Sequence, residues 1–263
     1  MNRDELRSLQ LSELEILQMF KQLCESNHLR FYITAGTLLG AVRHQGFIPW
    51  DDDIDVVMPR KDYDKLRDIC KSELPSDYYF QDSFTEENFP YFFSKIRKCG
   101  TEVYEPCLDK VNIRKGIYID ILPLDACPKR ETSAYIFFKF IGLFSSVYMG
   151  KVNADFVCGY TKKYMQFLYS ILIKFPLASI RSMRENVVRS YGKFCNWKRL
   201  CTVGGAHGYP AETYNAAWFD GEMALPFEGH LFPVPVGWDQ LLKNMYGNYM
   251  QPPDEENRKG HFE

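Results

Sequence analysis

An acidic cluster beside an apolar run is the feature of this sequence that could do chemistry. Four of the five residues 51–55 are aspartates, and a valine pair follows them directly. Carboxylates this close repel one another, so folded chains tolerate such clusters mainly where a cation or a proton lies among them. Asp53 and Asp55 would point to the same face of an extended strand, because side chains two residues apart share a face. We therefore expect them to form a divalent-metal site, with Asp51 as an additional candidate that binds the metal or orients a metal-bound water.

The chemistry of carboxylate oxygens indicates which ion to expect. Paired carboxylates at the mouth of a sheet suit Mg²⁺ or Mn²⁺, which keep waters and take phosphate oxygens as further ligands. Such an ion can bridge the phosphates of a nucleotide and lower the pKa of an attacking hydroxyl. Asp120 is the natural third carboxylate, since it stands among apolar residues in GIYIDILPLD. Asp125 lies beyond Pro123, where we expect the strand to end, so we interpret Asp125 as a turn residue.

The segment TAGT supplies a complementary half-site for phosphate. Gly36 allows the backbone to approach a phosphate closely, and Thr37 offers a hydroxyl at the start of a helix whose exposed N–H groups attract an anion. A Gly-Thr pair alone is a weak signal, but a metal-nucleotide complex needs both halves. The alternative is that the pair only caps a helix and that the aspartates form a solvated turn.

Composition bounds the class of protein. The chain has 263 residues, of which 46% are hydrophobic and 25% charged, and a formal net charge of −2. These values are typical of a globular protein and do not point to nucleic acid as a partner. Eight cysteines occur without a CxxC pair, which favours reduced thiols in a cytoplasmic protein over a zinc module or a secreted disulfide framework. The charged N-terminal segment does not resemble a signal peptide.

Apolar periodicity predicts the elements that must position these side chains. Leucine and phenylalanine recur at three- and four-residue spacings from residue 4 to about 27, which predicts an amphipathic helix. The chain then alternates between a strand in LRFYITAG, a short helix in GTLLGAVR, a strand in IDVVMPR and a helix in KDYDKLRDICKSEL. Three further strands are predicted in YFFSKIRKCG, TEVYEP and GIYIDILPLDACP. This order indicates α/β or α+β architecture.

The second half of the chain is predicted to add a lobe. Two apolar stretches, 134–150 and 164–180, each contain a lysine and fall short of the roughly 20 apolar residues that span a membrane. We interpret them as buried helices, with docking on a bilayer or on a lipid-linked substrate as the alternative. From Thr202 onward glycine, proline and aromatic residues are frequent, which is typical of irregular loops that build a binding cleft.

The segment YITAGTLLGAVRHQGFIPWDDDIDVVMPRKDYDKL is similar to the signature of the LicD-type phosphotransferases. That family includes bacterial phosphocholine transferases and fukutin-related polyol-phosphate transferases. The C-terminal LPFEGHLFPVPVGWDQLLKNMYGNYMQPPDEENRKGH resembles the closing segment of the family, so the resemblance covers roughly 29–128 and 218–261. It implies an α+β fold with a nucleotidyltransferase-like mixed sheet, flanking helices and a lobe of helices and aromatic loops.

The resemblance also suggests how the chain is divided. We expect a single catalytic domain over 1–263, with a nucleotidyltransferase-like core in 1–128 and a helical insertion of variable type in 129–201. Residues 202–263 would supply aromatic loops and a C-terminal segment that closes the cleft. The insertion cannot be aligned with the family pattern and is expected to carry the choice of acceptor.

By this resemblance the protein transfers a phosphorylated alcohol, such as phosphocholine or a polyol phosphate, from a CDP-linked donor to the hydroxyl of a glycan or lipid-linked glycan, releasing CMP. Asp53 and Asp55 would hold Mg²⁺ or Mn²⁺ against the donor diphosphate. Asp120 would bind the metal or take the proton of the acceptor, a role that requires hydrogen-bond reach. The expected location is the cytoplasm, with peripheral contact at the inner face of the membrane.

Further residues are candidates by their place in the family pattern. Three cations are expected near the donor phosphates, with a solvated side chain as the competing interpretation for each: Arg43, Arg60 and Lys61. Arg43 is the strongest of them, because it closes the helix that follows the phosphate turn. Three residues of the closing segment are candidates for the substrate cleft without an assigned role: Glu228, Arg258 and His261. Asp52, on the opposite face of the strand from Asp53, is expected to be structural.

Two other functions fit part of the pattern. A DxD pair also occurs in glycosyltransferases that hold a nucleotide-sugar diphosphate, although those enzymes normally begin with a nucleotide-binding βαβ unit. The protein could instead be a catalytically silent scaffold that binds a membrane assembly through its aromatic middle. The retention of the repelling acids at Asp53, Asp55 and Asp120 weighs against a silent site.

Overall fold

The chain folds around a mixed sheet with flanking helices. The structure, a computed structural model, describes residues 1–157, 159–194, 197–254, 256, 258 and 260. The helices are α1 (Arg3–Ser26), α2 (Ala35–His44), α3 (Arg60–Glu73), α4 (Glu131–Val152), α5 (Lys163–Leu172), α6 (Leu177–Phe194) and α7 (Trp238–Tyr246). The strands are β1 (Tyr32–Ile33), β2 (Asp55–Pro59), β3 (Tyr78–Gln81), β4 (Ser94–Lys98), β5 (Tyr118–Ala126), β6 (Arg199–Thr202), β7 (Thr213–Asn215), β8 (Glu222–Phe227) and β9 (His230–Pro235).

Strand β5 occupies the centre of the main sheet. It pairs in parallel with β2 and antiparallel with both β4 and β6. Strand β1 extends the sheet beyond β2, β3 extends it beyond β4, and β7 pairs with β6. Strands β8 and β9 form a separate hairpin. A mixed sheet with helices packed on it is an α+β architecture, so the predicted fold class is confirmed.

The strands that carry the acids are held by apolar packing. In β2 the residues Val56, Val57 and Met58 are all buried, and in β5 the isoleucines and leucines are buried as well. Helices α2 and α3 contact β2, while α1, α3 and α6 contact β5. A strand covered in this way forms from a continuous apolar run rather than from strict alternation. The polar residues at the ends of these two strands are thereby held at defined places on the sheet.

Helix α1 begins and packs as its sequence predicts. The Asn2 side chain accepts the backbone N–H groups of Asp4 and Glu5, and the Glu5 side chain accepts the N–H of Asn2, which forms a capping box. The buried stripe includes Leu9, Leu17 and Phe20, spaced as one helical face requires. The helix therefore lies with one face against the sheet and the other in solvent.

Strand β5 continues past the proline that was expected to end it. The N–H of Asp120 donates to the carbonyl of Ile54 on the β2 side (2.8 Å), so the backbone nitrogen three residues later, in Pro123, faces the other side of the strand. On that side, pairing with β4 ends at Ile121 and pairing with β6 begins at Leu124. Pro123 stands in the gap, where the sheet requires no N–H donor. The prediction that Asp125 is a turn residue is therefore wrong, because Asp125 lies within β5.

Two other local predictions are also corrected. TEVYEP is not a strand; it leads into a short 3₁₀ helix, Pro106–Leu108, and is held by salt bridges from Glu105 to β4. Strand β2 begins at Asp55, so Asp53 precedes the strand instead of sharing its face.

Part of the segment predicted as irregular loops is instead the hairpin of β8 and β9. Its two turn residues, Glu228 and Gly229, have positive φ angles of 51° and 78°. Two left-handed residues between paired strands define a type I′ turn, whose twist matches that of a hairpin. The prolines of LPFEGHLFPVP concealed this signal, because proline in a strand pattern favours a loop or an edge strand.

Helices α4, α5 and α6 form a lobe with a hydrophobic cluster of its own. The cluster includes Phe137, Val147, Met165 and Ile180 and also takes in Cys201 of β6. By length and composition α4 could cross a membrane, but part of it is buried inside the protein against α5 and α6. The two apolar stretches are helices of a lobe, as interpreted, but they are only partly buried: on α5 Met165 is buried, whereas Phe167 is exposed. The proposed division of the chain at 128 and 201 stays a prediction.

Candidate functional site

The register of β2 and β5 brings two predicted site residues together. Asp55 and Asp120 are directly opposite each other on these parallel strands. Neighbours in register on adjacent strands point to the same face, so the two carboxyl groups share one end of the strand pair. The sequence placed both residues in strands but could not establish that they are neighbours.

The loop before β2 adds further carboxylates. One side-chain oxygen from each of Asp51, Asp52 and Asp53 lies within 4.8 Å of the other two. The tightest group therefore consists of three consecutive residues and includes Asp52, which was expected to be purely structural. The loop forms this group because the chain turns at Asp51, whose N–H donates to the carbonyl of Ile48 (2.9 Å), and becomes extended only at Asp55.

The TAGT segment packs directly against this loop. The Thr37 hydroxyl accepts the backbone N–H of Asp55 (2.9 Å), which ties the start of α2 to the start of β2. A Cβ atom at Gly36 would lie 2.7 Å from Asp51 Oδ2, so only glycine lets the helix approach the acid so closely. Ala35, at the first turn of α2, has a positive φ of 46°, a conformation that costs free energy outside glycine. The predicted phosphate half-site and the acid cluster are therefore adjacent.

The carboxyl groups of Asp55 and Asp120 have raised pKa values. Burial raises the pKa of Asp55 well above its usual value, and the charges of Asp53 and Asp120 raise it further. Burial also raises the pKa of Asp120 to about 6, against the lowering effect of Lys95 and with a further increase from Asp53. Burial and neighbouring charges thus both favour the protonated forms of these two carboxyl groups in the ion-free protein.

A buried lysine that sequence reasoning missed faces Asp120. Lys95 is directly opposite Asp120 on β4, and its Nζ lies 3.0 Å from Asp120 Oδ1 and 3.1 Å from Glu105 Oε2. The same Nζ lies 3.1 Å from the centre of the Tyr118 ring. Glu105 is held in turn by Arg97, 2.7 Å away. This network fixes the orientation of Asp120, and the alternation of Lys95 and Arg97 in SKIRK was the available signal.

Helix α1 contributes a second residue that was missed. Glu13 lies on the buried face of α1 with 1% of its surface exposed, and no donor among the described residues reaches its Oε2. One turn earlier, the Gln10 side chain donates to the backbone carbonyl of Asp51 (2.9 Å), so this face of α1 covers the acidic loop. Burial raises the Glu13 pKa well above its usual value, and Asp53 and Asp52 add to the effect. A carboxylate in the apolar stripe of a helix was the sequence signal.

Two predicted phosphate ligands are placed elsewhere. Arg60 begins α3, directly after Pro59, which lies roughly 13 Å along β2 from Asp55. Its guanidinium donates two hydrogen bonds to Asp125, at 2.7 and 2.5 Å. Lys61 follows it on α3 and is exposed. The strand carries Arg60 and Lys61 away from the acids, so the structure does not bring these two predicted phosphate ligands to the acid site.

Arg43 remains beside the site. It lies in the last turn of α2 and donates to the backbone carbonyl of Tyr249 (2.8 Å). Burial lowers its pKa, and the charges of Tyr246 and Asp51 oppose that effect. Arg258 lies over the Trp50 ring, 5.2 Å from its centre.

Glu228 and His261 are the other two residues that were predicted to lie in the substrate cleft. Glu228 is engaged by Arg7 of α1, at 2.5 and 3.1 Å, and by the backbone N–H of Phe47. Because Arg7 also donates to Gln10, Glu228 anchors the β8–β9 turn to α1 and supports the acidic loop indirectly. His261 lies outside the described residues.

A cavity with several aromatic side chains lies beside α4. It has a volume of about 470 Å³ and lies between α4 and the loops at 90–92 and 203–209. Its lining includes the aromatic side chains of Tyr91, Phe92, Phe138 and Tyr209. Tyr91 connects it with the acids, since the Lys95 Nζ lies 5.5 Å from the centre of the Tyr91 ring. A cavity of this size and lining suits an apolar part of a substrate.

These features describe an α+β protein in which several carboxylates lie at one end of a parallel strand pair, beside the start of a helix. Residues 28–133 match the family model described as the LicD/FKTN/FKRP nucleotidyltransferase domain. The chain is 30% identical, over an alignment of 270 residues, to the lipopolysaccharide cholinephosphotransferase LicD of Haemophilus influenzae, covering 97% of this chain and 95% of that protein. The chain belongs to the LicD family, which confirms the resemblance seen in its sequence.

The chain is also similar, over shorter segments, to two uncharacterized proteins. The chain is 42% identical to the uncharacterized protein RP689 of Rickettsia prowazekii over 59 residues, 22% of each chain. It is 44% identical to the uncharacterized protein RT0683 of Rickettsia typhi over 52 residues, 20% of this chain and 17% of that protein.

Proposed function

We propose that this protein transfers a phosphorylated alcohol, phosphocholine in the first instance, from a CDP-linked donor to a hydroxyl of a cell-surface glycan such as lipopolysaccharide. Membership in the LicD family and the similarity to a cholinephosphotransferase over nearly the whole chain support a transferase of this kind. The observation that carries the proposal is the convergence of carboxylates from α1, the acidic loop, β2 and β5 beside the start of α2.

The donor set fits Mg²⁺ or Mn²⁺. The ligands offered by Asp51, Asp53, Asp55 and Asp120 are all carboxylate oxygens, the chemistry that these hard cations prefer. Burial raises the pKa values of Asp55 and Asp120 most, and the charge of Asp53 raises both further, a repulsion that a cation would relieve. When bound, the ion would neutralise the charge of the donor diphosphate. Gly36, Thr37 and the N–H groups of α2 would take a phosphate oxygen.

Asp120 is suited to receive the proton of the acceptor. In the proposed reaction the acceptor oxygen forms a bond to the phosphorus that carries the alcohol, the phosphorus–oxygen bond to CMP breaks, and CMP leaves with the bonding electrons. The hydroxyl proton passes to a carboxylate, and a pKa of about 6 places Asp120 near the range that a general base needs at neutral pH. Lys95 would hold Asp120 in place and compensate its charge. The alternative role of Asp120 is that of a metal ligand.

The aromatic cavity suits a choline headgroup. Tyrosine and phenylalanine faces attract quaternary ammonium groups. Tyr91 lines the cavity, and its ring centre lies 5.5 Å from the Nζ of Lys95, which pairs with Asp120. A choline group in this cavity would place its phosphate toward Lys95 and Asp120. This arrangement predicts a preference for CDP-choline over CDP-glycerol or CDP-ribitol.

The test is CMP release by the purified protein. We expect release from CDP-choline with an acceptor glycan in Mg²⁺, and none in chelator. Titration calorimetry with CDP-alcohols and UDP-sugars provides the comparison. Tighter binding of UDP-sugars with release of UDP would contradict the proposal in favour of a glycosyltransferase. A protein that binds no nucleotide with or without Mg²⁺ would contradict it in favour of a scaffold.

A further inference from the structure

The lobe exposes apolar side chains that its own core does not use. On and just after α5, Tyr164, Phe167, Ile171 and Phe175 are exposed by 60, 65, 39 and 40%. They follow one another at spacings of three or four residues, which places them on one side of the helix and of the turn that continues it. We call these four residues the α5 face.

The α5 face is separate from the side of the helix that packs. Met165 is buried, and Leu168, Tyr169 and Leu172 pack against the hydrophobic cluster of the lobe. Gly150 of α4 receives the Tyr169 ring closely, which fixes α5 on α4. The helix is therefore apolar on two sides, and only one of these sides contributes to the fold.

Lysines surround the α5 face. Lys162 and Lys163 stand at the start of α5 and Lys174 stands after its end, and all three are exposed. The segment 131–175 contains two acidic residues, Glu131 and Asp155. Each forms a salt bridge with a residue outside the segment, Glu131 with Arg199 and Asp155 with Lys110. The flanking charge that remains available to a partner is positive.

We propose that the α5 face docks on an anionic bilayer surface. Aromatic and aliphatic side chains flanked by lysines are the pattern of a helix that lies in the membrane interface, with its apolar side at the headgroup boundary and its cations on the anionic lipids. A second copy of the chain is a poorer occupant, because the lysines of two such faces would repel each other. Docking would bring the lobe, and the aromatic cavity beside α4, to the plane in which lipid-linked glycans lie. The proposal concerns location and does not depend on the transfer activity.

Sedimentation with lipid vesicles tests the proposal on the full chain. We expect binding to vesicles of phosphatidylcholine with phosphatidylglycerol and little binding to phosphatidylcholine alone, with affinity falling as salt is raised. Phe167→Ser with Ile171→Ser is expected to weaken binding by about a hundredfold. Lys162→Ala with Lys163→Ala is expected to weaken it by about tenfold or more.

Matched variants show whether the location of the change matters. Leu11→Ser with Leu231→Ser changes two apolar side chains of similar exposure on α1 and β9, and Lys65→Ala with Lys71→Ala changes two exposed lysines of α3. Both pairs should bind vesicles like the unchanged protein. Equal binding to neutral and anionic vesicles, or unchanged binding by both α5 variants, would overturn the proposal. So would a dimer that Phe167→Ser disrupts while no vesicle binding occurs, since that outcome assigns the face to a second copy.

Discussion

The two ends of the β2–β5 strand pair carry the same kind of residue in opposite electrostatic settings. At one end Asp55 and Asp120 face each other. Burial raises the pKa of both, and the charges of neighbouring carboxylates raise it further, while Lys95 opposes the shift at Asp120. At the other end Asp125 accepts two hydrogen bonds from Arg60, at 2.7 and 2.5 Å, and is 4% exposed. One end concentrates negative charge, and the other neutralises it.

This difference separates a site from a structural ion pair. A buried carboxylate matched by a bidentate arginine has its charge compensated and its hydrogen bonds made within the fold. Carboxylates that raise one another's pKa lower the stability of the ion-free protein, and a fold keeps them where they bind a cation or move a proton. The contrast predicts that variants at one end will lose stability and that variants at the other will lose activity.

Loss of the ion pair at the structural end should have the largest effect. Arg60→Ala leaves Asp125 buried without its partner, and we expect the free energy of unfolding to fall by about 3 to 5 kcal/mol. Denaturant titration followed by circular dichroism measures it. The control is Arg30→Ala, which removes an arginine that pairs with Asp62 but is 59% exposed. A loss below 1 kcal/mol for Arg60→Ala would mean that the contrast between the two ends is incorrect.

At the acid end the loss should fall on catalysis. Asp53→Asn removes one of the proposed metal ligands, and we expect turnover to fall by a hundredfold to a thousandfold or more, on the order of one lost electrostatic contact to the transition state. Stability in chelator should stay the same or rise slightly, because repulsion is relieved. Asp68→Asn changes an exposed carboxylate of α3 and should retain full activity. Normal CMP release by Asp53→Asn would refute the assignment of the site.

The pH dependence of stability sharpens the comparison. The pKa of Asp120 in the folded protein, about 6, lies above its usual value of 3.8, so folding binds this proton more tightly. Its contribution to stability is complete below pH 4 and is lost as the pH rises through about 6. In chelator the loss should be on the order of 2 to 3 kcal/mol between pH 4 and pH 7. Subtracting the profile of Asp120→Asn isolates it, and a difference that rises with pH would contradict the prediction.

The smallest effects on activity are expected from variants of Arg43 and Lys61, and they distinguish these two predicted phosphate ligands. Arg43→Ala should raise the KM for the CDP-alcohol by about tenfold or more, the size of a charge-assisted hydrogen bond to phosphate. Lys61→Ala should leave both kcat and KM within twofold, roughly the range of an exposed charge. Steady-state kinetics on the two variants provides the test. Equal effects, or a larger one at Lys61, would show that donor phosphates bind at the other end of β2.

Local sequence patterns were sufficient to predict the helices and strands that depend on the spacing of apolar residues along the chain. The apolar spacing of α1, the short helix in GTLLGAVR and the apolar run of β2 were predicted near their observed bounds, because each depends on neighbours a few residues away. The acidic cluster was also visible, since its members are consecutive. The hairpin of β8 and β9 was missed because its prolines resemble loop residues, although its Glu-Gly turn adopts the required left-handed geometry.

The amino-acid sequence by itself determined the α+β class, the family and most candidate residues, because these depend on residue types and on short spacings. The tertiary structure alone decided which charges meet. Arg60 finds Asp125 across 65 residues, Lys95 faces Asp120 through the register of β4 and β5, and Glu13 reaches the acids only because α1 packs on β5. Electrostatic partnership depends on distance in space, and strand register and helix packing set that distance after the local elements have formed.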